Sequence, residues 1–319
     1  MSVGEGEVDM VEADGVESIP FAFHEEDCSG CGCCADDDSW IKDVYTLGTI
    51  FMPFATFEID PTPPANILAW RFASFYDHEN PSRLEYFWAK AGQLNGKGPP
   101  VSERSVDYQE YRLYVETGTK IVTAFTDLGL RSVDPELNAN TTSYSDMSAG
   151  VKTLLLNRDR LKLSHIFTTY IPSGRAARGF GTGHTSLEPG FLGNYRWGPK
   201  TSLHGELKYW FPIAADPDLK GELLQYGLGI SHVWREGPCE RWALIPTLEF
   251  NAWTILDGKE IRFSDLAIVD FDPAFILNIQ PGIRLAFHEK WDLGISGSFA
   301  VTRLKWYDSL LRFELRKFF

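Results

Sequence analysis

The chain of 319 residues contains no long apolar run. A helix that crosses a membrane needs about 20 mostly apolar residues. The best stretch, VYTLGTIFMPFATF at 44–57, is shorter and contains Pro53. A helical membrane protein is therefore excluded. A β-barrel membrane protein is not, because each barrel strand needs only ~9–11 residues of alternating character.

Basic residues are absent from the first 41 residues, which hold 12 of the 44 acidic residues. The rest of the chain has 32 acidic against 30 basic residues, so most of the net charge of −14 belongs to this leader. No basic patch or aromatic-basic stripe follows it, and we expect no nucleic-acid partner.

Only one cysteine, Cys239, lies outside the leader. The other four lie in CSGCGCC, a spacing that fits a structural zinc site poorly: Cys28, Cys31, Cys33 and Cys34. We expect residues 1–40 to be a disordered acidic leader, with no metal and no cofactor in the protein. Residues 41–66 are apolar and proline-rich, and the sequence leaves open a linker, a plug or an arm over the rim.

From residue 67 onward the sequence alternates apolar and polar residues with period two, without a helical pattern of useful length. The alternation predicts an all-β unit over 67–319 with twelve strands. Their predicted ranges are 67–77, 107–117, 120–130, 145–156, 160–171, 185–196, 200–212, 222–234, 241–255, 274–287, 290–302 and 307–318.

The connections between these strands alternate between short and long. Short turns contain GT near 118, NRD at 157–159 and GP at 198–199, whereas links such as 78–106 and 256–273 are long. This asymmetry is typical of a closed antiparallel transmembrane β-barrel with short periplasmic turns and long external loops. It predicts a location in the bacterial outer membrane. The first residues show no export signal, so we expect one upstream of this start or already removed.

Aromatic residues are sorted by strand end, as expected where amphipathic rings sit at two water–lipid boundaries. The rim of short turns would hold Trp197, Trp234, Trp242, Phe287, Trp291 and Phe319. The opposite rim would hold Tyr170, Phe211, Trp253, Trp306 and Tyr307. Phe319 would end the last strand against lipid, and we expect the barrel-assembly machinery to engage this strand.

Several stretches together resemble a family of outer-membrane proteins grouped as meta-pathway phenol-degradation or "transporter" proteins. They are RLEYFWAKAGQLNGKGPP, VDYQEYRLYVE, DPELNAN, TYIPSG, GTGHTSLEPGFL, GELKYWFPI and LLRFELRKFF. The resemblance covers residues 67–319 and excludes the acidic leader. It implies an outer-membrane barrel and suggests small hydrophobic or aromatic molecules as cargo.

Alternation also assigns side chains to the lumen, with acids and bases nearly balanced. The candidate lumen residues are Arg71, Glu110, Arg112, Glu116, Lys152, Glu188, Arg196, Glu206, Lys208, Glu249, Arg284, Arg312, Glu314 and Arg316. They can narrow a pore and set its selectivity, or only stabilise a polar interior as ion pairs. Apolar lumen candidates are few and scattered: Tyr108, Tyr114, Trp210 and Trp253.

The function predicted from these features is a pore or transporter for passive uptake of a small-molecule solute, surrounded by outer-membrane lipids. The alternative is a lipid-modifying barrel enzyme, which needs a nucleophile with a base in reach. His165 and His232 fall on the predicted lipid face, beside Ser164 and Ser231. Adjacent strand residues point to opposite faces, so neither neighbouring pair can form a site. No G-x-S-x-G motif is present, and we expect no enzymatic activity.

Overall fold

Twelve long antiparallel strands form the main part of the fold in the computed structural model, which describes residues 46–319 except 94, 238–240, 272–273 and 289. The long strands are β1 (Ile67–Glu79), β2 (Ser105–Gly118), β3 (Val122–Pro135), β5 (Met147–Asn157), β6 (Leu161–Ile171), β7 (Thr185–Gly198), β8 (Thr201–Ile213), β9 (Glu222–His232), β11 (Trp242–Asp257), β14 (Ala274–Phe287), β15 (Trp291–Ala300) and β16 (Ser309–Phe318). Short strands are β4 (Thr141–Tyr144), β10 (Arg235–Glu236), β12 (Lys259–Ile261) and β13 (Ile268–Asp270).

The sheet closes on itself. Each long strand pairs with the long strands that precede and follow it along the chain, and β1 also pairs antiparallel with β16, from Ile67 opposite Phe318 to Tyr76 opposite Ser309. The predicted closed twelve-strand barrel is thus confirmed, and most predicted strand boundaries differ from the observed ones by no more than two residues. Among the described residues, no helix is long and apolar enough to span a membrane.

The outer face of the barrel is apolar because period-two alternation turns every second side chain outward. Outward-facing apolar side chains are exposed on nearly every strand, including Leu68, Trp70, Leu113, Leu128, Val151, Phe167, Phe191, Leu207, Leu228, Phe250, Leu285, Leu293, Phe299 and Leu311. An exposed apolar surface that encircles a protein requires lipid around it.

The two predicted aromatic rims differ in the structure. Trp197, Trp234 and Phe319 are exposed at the rim of short turns, as expected of a lipid boundary. On the opposite rim the prediction was wrong for Trp306 and Tyr307, which precede β16 and are buried inside the barrel among other aromatic rings. Trp253 is buried there too, in the lumen to which the alternation also assigns it.

Two segments outside the long strands fill much of the interior. The inner segment, residues 46–66, contains the helix α1 (Leu47–Phe51) and a single 3₁₀ turn (Met52–Phe54). The external cap, residues 80–104 between β1 and β2, contains a second 3₁₀ turn (Arg83–Glu85). The predictions for residues 1–40, which include Cys28, Cys31, Cys33 and Cys34, concern a part of the chain outside the described residues, as does Cys239.

Candidate functional site

The inner segment lies within the barrel, held by inward-facing side chains of strands around its circumference. Glu249 on β11 is its central anchor. The carboxylate accepts hydrogen bonds from three consecutive backbone amides, those of Phe57 (2.7 Å), Glu58 (2.9 Å) and Ile59 (2.9 Å). One buried carboxylate thereby satisfies three donors that the irregular backbone cannot pair with itself.

An arginine clamp holds the carbonyl groups that precede this anchor. Arg284 Nε donates to the carbonyl oxygen of Ala55 (2.7 Å) and its Nη2 to that of Thr56 (2.8 Å). Arg316 Nη2 donates to the carbonyl oxygen of Phe54. Both guanidinium groups are buried and share Asp292, while Arg284 also pairs with Glu314. The clamp is stable because every buried charge has a partner.

Glu58 and Asp60, at the far end of the inner segment, pair with lumen cations. Arg312 Nη2 donates to Glu58 (2.7 Å). Lys208 Nζ lies 2.8 Å from Asp60 and also 2.8 Å from Glu206. Glu206 also accepts from the backbone amide of Asp60 (3.1 Å) and from Gln225 Nε2 (3.0 Å). Burial opposes ionisation of Asp60, but the nearby cations Lys208, Lys152 and Arg71 together outweigh this effect and keep the pKa of the carboxyl below its ordinary value.

The return limb of the segment leads from mid-barrel to the start of β1. Ser164 Oγ donates to the carbonyl oxygen of Thr62 (2.6 Å), and Glu116 accepts from the amide of Ala65 (3.2 Å). Lys152 Nζ neutralises Glu116 at 3.0 Å. The segment therefore enters at the rim of short turns, rises to the middle of the lumen and returns to the same rim.

Glycines on the wall make room for this hairpin-like path. A Cβ atom at Gly282 or Gly294 would lie 2.5 Å or 2.6 Å from the ring of Phe57. Arg284 stacks on the same ring, with its guanidinium carbon 3.9 Å from the centroid. The positions on β14 and β15 that face Phe57 thus accept only a residue without a side chain.

Apolar side chains seal the half of the lumen near the short turns. Leu47, Phe51, Met52 and Phe54 pack against wall residues in one buried cluster. Phe51 and Phe54 both meet the ring of Phe318 edge to face, at 5.0 Å and 5.2 Å between centroids. This layer leaves the periplasmic half of the barrel filled.

Two cavities lie above this seal. The middle cavity, of about 240 Å³, is lined mainly by charged and polar groups that include Asp60, Arg71, Asp127, Glu188 and Lys208. The upper cavity, of about 210 Å³, is lined mainly by aromatic rings. Both cavities share Glu58, Tyr86 and Arg312, among other lining residues, so they adjoin one another.

The external cap covers the upper cavity. Leu84 and Trp88 are fully buried. The backbone of Leu84 has a φ of 54°, a value that residues other than glycine rarely adopt. Arg83 pairs with Glu260 (2.9 Å) on the neighbouring external loop. Tyr86 reaches down and packs on Trp306, 5.0 Å between ring centroids.

Almost all predicted lumen residues lie inside the barrel. Those in the ion-pair and hydrogen-bond network are Arg71, Glu110, Arg112, Glu116, Lys152, Glu188, Glu206, Lys208, Glu249, Arg284, Arg312, Glu314 and Arg316. Arg196 is the exception. It is half-buried near the turn between β7 and β8, and among the described residues no lumen carboxylate pairs with it.

Sequence reasoning missed other charged groups of the network. Asp127 pairs with Arg112 (3.0 Å), Arg131 pairs with Glu110 (2.9 Å), and Asp292 joins the arginine clamp. These residues occupy inward-facing positions in the period-two alternation of their strands, so the same rule would have found them. Glu58 and Asp60 had no such signal because their segment has no period.

A Ser–His–Asn chain faces the lumen. His204 Nε2 lies 2.8 Å from Ser231 Oγ, and Asn194 Nδ2 lies 3.2 Å from His204 Nδ1. The side-chain nitrogen Nδ2 of Asn194 also donates to the carbonyl oxygen of Leu203. It therefore donates to His204 as well, and Nδ1 of the ring is the acceptor. Nε2 then carries the proton and donates to Ser231, the reverse of what a general base requires. Ser231 in turn donates to the carbonyl oxygen of Met52 (3.2 Å).

The histidine–serine neighbours from the sequence lie apart, as alternation predicts. Ser164 and Ser231 are fully buried inside. His165 packs outside against Phe191, and the ring of exposed His232 contacts Thr201.

A closed twelve-strand antiparallel barrel with an apolar outer face and short turns on one rim is an outer-membrane β-barrel. The chain is therefore a protein of the bacterial outer membrane. No family model and no curated protein matches its sequence.

Solved structures to which the chain is similar include an outer membrane channel from Pseudomonas putida F1. It has a TM-score of 0.56 at 13% identity, over 83% of this chain and 99% of that chain. The NanC porin gives 0.47 at 10% identity, over 79% and 99%. The β domain of the Bordetella autotransporter BrkA gives 0.48 at 11% identity, over 80% and 100%. The similarity to the Pseudomonas channel supports the barrel fold.

Proposed function

We propose that the chain is an outer-membrane pore or transporter for passive uptake of small molecules, hydrophobic or aromatic ones in particular. The observation that carries the proposal is the pair of adjoining cavities in the lumen, of about 210 Å³ and 240 Å³. A cavity of about 150 Å³ accepts benzene, so each is large enough for a small solute. The Pseudomonas protein with a similar fold is an outer membrane channel.

Passage to the periplasm requires the inner segment to move. The apolar cluster that contains Leu47, Phe51 and Phe54 lies between the middle cavity and the rim of short turns. The segment is held by hydrogen bonds and ion pairs to Glu249, Arg284, Arg312 and Glu206. Such contacts exchange for water without breaking a covalent bond, so the segment can act as a gate.

Flux into liposomes tests this proposal. We expect wild type to admit small solutes slowly, and Arg312→Ala and Glu206→Ala to admit them several-fold faster, because each substitution removes a contact to Phe57–Asp60. Lys317→Ala, at the end of β16 and in contact with Trp291, is the matched control and should leave flux unchanged. Absence of flux for any solute in all variants would contradict the proposal.

The Ser231–His204–Asn194 chain makes a lipid-modifying enzyme the second candidate function. Release of fatty acid from phospholipid in the same liposomes, abolished by Ser231→Ala, would favour it. We expect no release, because Ser231 is buried beneath Met52 and the hydrogen bonds run in the wrong direction for base catalysis.

A further inference from the structure

The upper cavity contains several buried polar groups without a partner. They are the indole N–H groups of Trp253 and Trp306, Nδ1 of His78, Oγ of Ser186 and Nη1 of Arg131. All five residues line the same cavity and are at least nine-tenths buried. A buried donor without an acceptor costs about 1–3 kcal/mol, and buried indole N–H groups usually find a partner.

Each of these five groups can donate a hydrogen bond. Trp, Ser and Arg side chains have donors here, and neutral His can place its proton on Nδ1. The carboxylates nearby are already committed. Glu110 accepts from Arg131 Nε (3.1 Å), Glu58 from Arg312, and Asp146 from the backbone amides of Gly174 and Thr182. The indole N–H groups of Trp253 and Trp306, which can only donate, find no free carboxylate there, and a ligand can supply the acceptor that they lack.

The remaining lining selects a flat ring. Phe75 and Tyr108 stack with 4.3 Å between centroids and 9° between planes, and Tyr86 stacks on Trp306. Aromatic faces in this arrangement favour another aromatic ring in offset or edge contact.

Each guanidinium group that lines the cavity is paired, and Asp146, the lining carboxylate outside these pairs, accepts hydrogen bonds from backbone amides. Arg131, Arg112 and Arg312 are matched by Glu110, Asp127 and Glu58 in direct pairs. A ligand with a net charge would remain unpaired in this buried site, which is costly. A neutral ligand avoids this cost.

We propose that the upper cavity is a binding site for small neutral aromatic molecules that carry an oxygen acceptor, such as an aromatic ketone. The ring lies among Phe75, Tyr108 and Tyr86, and the oxygen accepts from the indole N–H groups of Trp253 and Trp306. The inference rests on the proposed function, since it names the chemical class of the cargo and the first site that the cargo meets from outside.

Calorimetric titration of the full chain in detergent tests this site with three probes. Acetophenone carries the acceptor, α-methylstyrene has the same shape without oxygen, and benzoate adds a negative charge. We expect acetophenone to bind at least tenfold more tightly than either of the others, corresponding to one or two hydrogen bonds. Equal affinity for acetophenone and α-methylstyrene would overturn the inference, as would tighter binding of benzoate.

Variants separate the donors from the ring surface. Trp253→Phe and Trp306→Phe keep an aromatic ring but remove the N–H together with part of the ring surface. Both probes share the loss of ring contact, so acetophenone affinity should fall about tenfold more than α-methylstyrene affinity in each variant. Trp234→Phe, exposed at the opposite rim, is the matched control and should bind as wild type. Unchanged acetophenone affinity in both cavity variants would show that water satisfies these donors and would overturn the inference.

Flux of acetophenone measured on the same preparations distinguishes the two proposals. Flux without saturable binding would overturn the binding site and leave the pore standing. Binding that follows the N–H groups, without flux of any solute, would support the site and overturn uptake.

Discussion

At the scale of single residues, the lumen is organised by charged groups that serve backbone atoms. Glu249 accepts three amide hydrogen bonds, and Arg284 and Arg316 together donate to three carbonyl oxygens of Phe54–Thr56. Ordinary secondary structure pairs backbone with backbone, whereas this irregular segment relies on wall side chains. The charges therefore have a structural role, which is to hold this segment in the lumen.

Replacing Glu249 tests this role. Glu249→Leu leaves three buried amide donors without an acceptor, at roughly 1–3 kcal/mol each, so the closed state should lose stability. We expect single channels of Glu249→Leu to stay open for a larger fraction of the time than wild type, with Glu249→Gln in between because one oxygen remains.

The matched control for this substitution is Glu222→Gln, which changes an acid that pairs with Tyr209 near the external end of the barrel wall. It should open as wild type does. Identical open fractions in Glu249→Leu and wild type would show that the carboxylate does not hold the segment closed.

At the scale of elements, the fit between the inner segment and the wall is steric as well as polar. A Cβ atom at Gly294 would lie 2.6 Å from the ring of Phe57, too close for any side chain. The outward-facing Gly193, in contrast, would place a Cβ atom 3.5 Å from Leu163, an ordinary contact.

We expect Gly294→Leu to expel the inner segment and leave the barrel folded. Chymotrypsin should then cleave after Phe51, Phe54 or Phe57, which the wild-type barrel protects, and mass spectrometry identifies the sites. Gly193→Leu should remain protected at all three, with gel mobility before and after boiling confirming folded barrels. Continued protection in Gly294→Leu would contradict the steric account.

Elements also differ in how well the sequence predicts them. The strands were predicted closely because alternation and turn residues are local signals, as in β14, whose observed range Ala274–Phe287 equals the predicted one. The position of residues 46–66 could not be predicted, since their partners lie far away along the chain. Phe57 and Glu249, for example, are 192 positions apart.

The candidate site was predicted only in part, because local patterns identify the lumen residues on strands and miss residues outside them. The period-two alternation of a strand is enough to assign Arg284 or Glu314 to the lumen. It makes no prediction for Trp306, which lies in the connection between β15 and β16. The aromatic cavity could therefore be recognised only from the folded structure, in which the external cap meets the strands.

At the scale of the whole molecule, the lumen has three layers: an aromatic cavity beneath the external cap, a charged middle cavity, and an apolar seal at the periplasmic rim. A solute that enters from outside meets apolar rings first and charges second. The order suits capture of a poorly soluble molecule, followed by release when the seal opens.

Single-channel conductance of the full chain and of a variant lacking residues 46–64 tests the central claim most directly, namely that this segment closes an otherwise continuous pore. The deletion ends before β1 and leaves every barrel strand intact. We predict small or brief openings for the full chain and a larger, persistent conductance for the variant, with folded barrels in both. Equal conductance in the two proteins would contradict the account.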